Sequence, residues 1–159
     1  MTTVLIADDH GIVRSGLRML LERQEGIEVI AEASDGEEAR DLAISERPDL
    51  AILDVKMPKL TGLEATREIR EKAPEVAILI LSMHEEERYL FEALKAGASG
   101  YVLKSQADVD LLDAIKAIER GEPFLTPDAQ RALIKDVLGR EGSSQAELTP
   151  REEEVVSSA

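Results

Sequence analysis

Apolar positions along this chain fall into short continuous runs separated by stripes of helical period, and that alternation sets the expected fold. Val4-Leu5-Ile6-Ala7, Leu50-Ala51-Ile52-Leu53 and Val76-Ala77-Ile78-Leu79-Ile80-Leu81 are unbroken runs. Runs of this length bounded by turn residues read as strands buried on both faces of a parallel sheet. Ile27 to Ala33, rich in β-branched residues, and Tyr101-Val102-Leu103, after a turn flanked by Gly97 and Gly100, add two more strands.

Between the runs the period becomes that of a helix. Val13, Leu17, Leu20 and Leu21 share one face, and Gly26 ends that element. A Ser34/Glu37 capping box opens the next, with Ala39, Leu42 and Ala43 inward and Pro48 as the stop. Leu63, Thr66 and Ile69 mark a third helix between Gly62 and Pro74. Glu85-Glu86-Glu87 suits the amino terminus of a fourth, where the helix dipole favours negative charge, with Leu90, Ala93 and Leu94 buried. A Ser105/Asp108 capping box opens a fifth that buries Leu111, Leu112, Ile115 and Ile118 and stops at Gly121.

Five strands alternating with five helices predict an α/β fold, a doubly wound five-stranded parallel sheet of the flavodoxin-like order 2-1-3-4-5 with helices on both faces. Its switch point lies between the first and third strands, where such folds bind ligands. Those strands run into Asp8-Asp9 and into Asp54. Taken alone, Asp54 could equally start a solvated turn.

Past Gly121 the pattern weakens. Thr126 as cap and Pro127 at the first helical position predict one extra helix with Leu133, Ile134 and Val137 on one face. Gly139 to Glu147 reads as a flexible linker, and Leu148-Thr149-Pro150-Arg151-Glu152 starts another helix that is cut off at Ala159. The expected organisation is residues 1–121 as one domain, 122–147 as extra helix and linker, and 148–159 as the truncated start of a further domain.

Composition narrows the chemistry. The chain has 159 residues, 33% of them charged, and a formal net charge of −14. That balance argues against direct contact with nucleic acid or anionic membranes, both of which need a basic surface. There is no cysteine, which excludes disulfides, thiol catalysis and zinc–thiolate sites. No apolar run is long enough to cross a bilayer and no signal peptide is legible, so a cytoplasmic location is expected.

The candidate chemistry lies at strand ends. Asp8, Asp9, Asp54, Ser82 and Lys104 each close a predicted strand. Three clustered carboxylates call for a compensating cation, and a hard divalent ion such as Mg²⁺ suits oxygen ligands, waters and a phosphate. Lys104 adds a positive charge for a phosphoryl oxygen and Ser82 a hydroxyl donor. Such a site suits phosphoryl transfer, in which a carboxylate can itself be the nucleophile, and Asp54 is the best placed. His10 and His84 read as surface or supporting residues rather than catalysts.

Together these residues resemble the receiver domain of two-component response regulators, over Met1 to Glu119. The resemblance rests on Asp8-Asp9, the Asp54 strand with Met57-Pro58 and Gly62, Leu81-Ser82-Met83, and Ala96-Gly97-Ala98 leading to Tyr101 and Lys104. Ala7-Asp8-Asp9-His10, Leu81-Ser82-Met83-His84 and Leu148-Thr149-Pro150-Arg151-Glu152 resemble the NarL/FixJ (LuxR-type) branch. It implies that Asp54 accepts phosphate from a sensor histidine kinase. It also implies that Asp9 and Asp54 ligate Mg²⁺, with Asp8 acting through water and the Lys56 carbonyl completing the set. Ser82 would bond the phosphoryl group, Lys104 would pair with it, and Tyr101 would be the switch that turns inward. A phosphorylation-dependent homodimer would follow, and DNA would be reached only through a C-terminal helix-turn-helix domain absent from this truncated chain. The protein would be a switch that assists its own phosphotransfer and dephosphorylation, not a true enzyme. Ser105 stands where many receivers have proline after the lysine.

Three rivals remain. A phosphohydrolase of the haloacid dehalogenase type needs a second acid two residues after the nucleophile, where this chain has Lys56. A nucleotide or flavin binder lacks its glycine-rich or Walker motif. A degenerate receiver acting only as an interaction module would not need every acid to be present.

Overall fold

The computed structural model describes residues 1–83 and 90–125, with Gln130, Arg131, Ile134 and Leu138 beyond them. The chain divides into two compact units, Met1–Thr126 and Pro127–Ala159. In the first, strands and helices alternate as β1 (Thr2–Ala7), α1 (Gly11–Glu22), β2 (Ile27–Ala33), α2 (Gly36–Glu46), β3 (Leu50–Asp54) and α3 (Gly62–Lys72). There follow β4 (Ala77–Ser82), α4 (Leu90–Ala96), β5 (Gly100–Leu103), a 3₁₀ turn over Lys104–Gln106, α5 (Ala107–Glu119) and β6 (Phe124–Leu125).

The strands are all parallel, in the order β2-β1-β3-β4-β5-β6. The expected order therefore holds, with one strand more than the periodicity gave. β6 is two residues long and pairs Gly100 with Phe124 and Tyr101 with Leu125. Two residues are too few to show a period, which is why the sheet runs past the expected boundary at Gly121. The central strands are buried on both faces: all of β3, and β4 from Ile78 to Ser82. Leu17 and Leu21 of α1 and Leu111 and Ile115 of α5 pack with Val4, Ile6, Leu50, Ile52 and Leu81 into the main apolar cluster. Each fully buried aliphatic side chain contributes about 1.5–3 kcal/mol.

Two helix starts differ from expectation. At α2 the cap is Asp35, whose side chain accepts from the Glu38 amide at 2.8 Å, while Glu38 reaches back to the Ser34 amide at 2.7 Å. The acid pair is thus shifted one residue along from Ser34/Glu37. At α5 there is no Ser105/Asp108 box, because the 3₁₀ turn occupies that stretch and the helix begins at Ala107 without a side-chain cap. A true capping box occurs at Thr61 and Glu64, opening α3. The peptide bond after Lys104 is trans, as are all those described.

The expected acidic start of the fourth helix, at Glu85–Glu87, lies outside the described residues, as do Thr126, Pro127, Leu133, Val137 and everything from Gly139 on. Ile134 is helical and exposed. Among the described residues no helix is long and apolar enough to cross a membrane.

Candidate functional site

The carboxyl ends of β1, β3, β4 and β5 lie side by side, because parallel pairing brings equivalent ends together. Ala7 sits opposite Leu53, Asp54 opposite Leu81, and Ser82 opposite Leu103. The last residue of β3 and of β4, and the residue after β1 and after β5, therefore share one end of the sheet. Asp8, Asp54 and Ser82 are all buried there, with Asp54 only 3% exposed.

Lys104 closes the arrangement. Its ammonium lies 3.0 Å from Asp8 Oδ2 and 3.1 Å from Asp54 Oδ2. Burial alone would lower the Lys104 pKa, but its contacts with Asp8 and Asp54 outweigh this and hold it above the ordinary value. Burial pushes the Asp54 carboxyl up to about 6, and the Asp8 charge adds to the rise against the opposing pull of Lys104 and the Lys56 amide. One ammonium does not neutralise the carboxylates gathered here.

The turn from β1 into α1 is held by bonds between side chains and its backbone. The His10 amide donates to Asp8 Oδ1 at 2.8 Å, and Arg14 donates to the Asp8 carbonyl at 2.5 Å. Arg14 Nε also lies 3.4 Å from Glu32 on β2, tying the turn to the edge strand. Across the crevice, Gly62 donates its amide to the Val55 carbonyl at 2.8 Å. A Cβ at Gly62 would stand 2.1 Å from the Asp54 carbonyl oxygen, so only glycine lets α3 start this close to the acid-bearing strand.

A divalent cation fits these residues. Asp8 Oδ2 is wholly buried and faces the Lys104 ammonium, which it shares with Asp54. Ligand atoms of Asp8, Asp9, His10 and Asp54 all lie within 4.8 Å of one another. His10 is the member of this group that residue-by-residue reasoning set aside. Its adjacency to Asp8-Asp9 was the available signal.

Of the other expected residues, Ser82 is buried but its hydroxyl donates to the Met83 carbonyl at 3.0 Å, not to Asp54. Tyr101 already lies inside, 1% exposed. The Lys56 backbone amide bonds Asp54. His84 lies outside the described residues.

Comparison with known proteins identifies the family. Residues 4–116 match the family described as the response regulator receiver domain. The chain is 43% identical over 138 residues to the oxygen regulatory protein NreC of Staphylococcus epidermidis, covering 86% of this chain and 63% of that one. It is 38% identical over 133 residues to the transcriptional regulatory protein DegU of Brevibacillus brevis, covering 84% and 56%. It thus spans less than two thirds of the length of these relatives. Among solved structures, a LuxR-family two-component response regulator from Aurantimonas is similar at 39% identity and a TM-score of 0.81, over 87% of this chain and 99% of that one. The isolated receiver domain of RcsB from Salmonella enterica serovar Typhimurium, solved with the phosphomimetic BeF₃⁻, is similar at 30% identity and a TM-score of 0.76, over 82% and 97%.

Proposed function

The chain belongs to the response regulator receiver family, in its NarL/LuxR-type branch, and we propose from that premise that Asp54 is the phosphoacceptor. The observation that carries this is the Lys104 ammonium shared between Asp8 and Asp54 at the switch point of the sheet. A carboxylate there is a nucleophile held beside the charge its product needs.

In the proposed reaction an Asp54 oxygen bonds to phosphorus while the bond from phosphorus to the donor breaks. From a sensor kinase the donor is a phosphohistidine, whose imidazole leaves and takes up a proton. Lys104 moves from carboxylate to phosphoryl oxygen. Ser82 gives up the Met83 carbonyl and donates to the phosphoryl group instead. Mg²⁺, held by Asp9 and Asp54, with Asp8 through water and the Lys56 carbonyl, would supply neutralising charge for the phosphoryl oxygens.

The phosphorylated site adds charge and acceptor oxygens, and the Ser82 rearrangement lies one strand from Tyr101 on β5. Tyr101 would be the element that reads it, favouring a homodimer. On this reading the receiver domain closes with β6 at Phe124–Leu125, and a DNA-binding domain beginning near Leu148 is the part controlled. The protein acts as a cytoplasmic switch that assists its own phosphotransfer and dephosphorylation.

The test is intact mass after incubation with acetyl phosphate and Mg²⁺. The parent gains one phosphoryl group and Asp54→Asn gains none. Gain by both overturns Asp54 as acceptor.

A further inference from the structure

His10 occupies the N-cap of α1 yet makes no side-chain cap bond to the helix. Caps of Ser, Thr, Asp or Asn at this position usually stabilise a helix by about 1 kcal/mol, and His10 forgoes that. Its ring turns back to the acids instead. Nδ1 lies 3.2 Å from Asp8 Oδ1 and 3.0 Å from Asp9 Oδ1.

In the structure these are hydrogen-bond and ion-pair contacts, and ligands around one ion stand equally close to one another. Donors about 2.1 Å from a metal stand about 3.0–3.4 Å apart in octahedral or tetrahedral geometry. The chemistry of the set then matters. Mg²⁺ takes oxygen ligands and gains little from an imidazole. Borderline transition ions bind imidazole and carboxylate together, with a Zn–N distance of about 2.0–2.1 Å.

We propose that His10 gives the acidic site a nitrogen ligand, so that it binds a borderline divalent ion such as Zn²⁺ or Co²⁺ more tightly than Mg²⁺. Asp8 and Asp9 provide the oxygens beside it, and Asp54 lies within reach. The inference rests on the cation-site reading above and adds a selectivity to it. Both classes of ion compete for the same carboxylates.

The experiment is calorimetric titration of the intact chain at pH 7.5 with Mg²⁺ and, separately, with Zn²⁺, for the parent, His10→Gln and His84→Gln. Zinc should bind the parent at least tenfold more tightly than magnesium. His10→Gln should weaken zinc tenfold or more and leave magnesium within twofold, and His84→Gln should change neither. With Co²⁺, the parent should show one hyperfine-shifted imidazole N–H resonance that His10→Gln lacks. Zinc affinity unchanged in His10→Gln overturns the proposal, and so does an equal loss for both ions, which would make His10 only a prop for the carboxylates. A parent that binds neither ion overturns the cation-site reading as well, whereas magnesium binding without the zinc preference overturns His10 alone.

Discussion

The two ends of the same sheet are built on opposite rules. At the amino end, Thr3 and Asp49 satisfy each other: the Thr3 amide and hydroxyl donate to Asp49 Oδ2 at 2.9 and 3.1 Å, and the Asp49 amide donates back to Thr3 Oγ1 at 2.9 Å. At the carboxyl end, Asp8 and Asp54 share the one Lys104 ammonium between them, and Asp54 is held where its charge is disfavoured. Closed polar pairs stabilise, while open ones cost stability and leave room for a ligand. The difference teaches that the acids are placed for what they bind rather than for the fold.

The comparison breaks most visibly where backbone geometry serves the open end. Gly62→Ala forces a Cβ onto the Asp54 carbonyl, an overlap with backbone that no rotamer relieves. Either α3 or the end of β3 must move. The expected loss is about 3 kcal/mol or more, read as a lower urea midpoint, with loss of phosphoryl uptake from acetyl phosphate. Normal uptake in a destabilised Gly62→Ala would show that α3 packing does not position Asp54.

Next in size is the acid itself. The Asp54 carboxyl titrates near 3.8 when unfolded and near 6 when folded, so the folded state holds its proton more tightly. Its contribution to stability is greatest at low pH, falls between about pH 4 and 6, and is flat above. Two units correspond to about 3 kcal/mol. Asp54→Asn should therefore be more stable than the parent by about 2–3 kcal/mol at pH 7.5 without divalent cations, with the advantage shrinking as pH falls towards 4. Millimolar Mg²⁺ should bring the parent up and leave the variant where it was. Parallel stability curves from pH 4 to 7.5 would remove the contrast between the two ends.

How much of this was legible depends on the length scale of each signal. The five main strands and the order 2-1-3-4-5 follow from runs such as Leu50–Leu53, because burial on both faces leaves a mark in composition. β6 left none, being two residues of edge strand fixed by pairing with Gly100 and Tyr101. The caps at α2 and α5 were misread by pattern alone: Ser34, Asp35, Glu37 and Glu38 offer two overlapping boxes, and geometry chose Asp35. Ser105 looked like a cap until the 3₁₀ turn took its place. Asp8, Asp54 and Lys104 were legible as a site because three separate strand ends each carried a charge. The engagement of Ser82 with Met83 and the buried position of Tyr101 were not, since side-chain direction depends on the neighbours at each strand end. His10 was visible only as a neighbour of the acids, and its ring orientation needed the structure.

The smallest effect should come from the closed end, and there it is the specificity that matters. Thr3→Val keeps the β-branched shape that suits a strand but removes the hydroxyl that both donates to Asp49 and accepts from its amide. The Thr3 amide bond to Asp49 survives the change. Because these groups lie at the surface, water can replace the lost partners, and the cost should be only about 1 kcal/mol. The urea midpoint should fall with the slope unchanged, since no extra surface is exposed on unfolding. Mg²⁺ affinity and phosphoryl uptake should not move, because the site lies at the far end of β1, beyond Val4, Leu5 and Ile6, which are wholly buried. A shift in Mg²⁺ affinity in Thr3→Val would mean that β1 transmits the state of one end to the other, and the two ends could no longer be treated as separate designs.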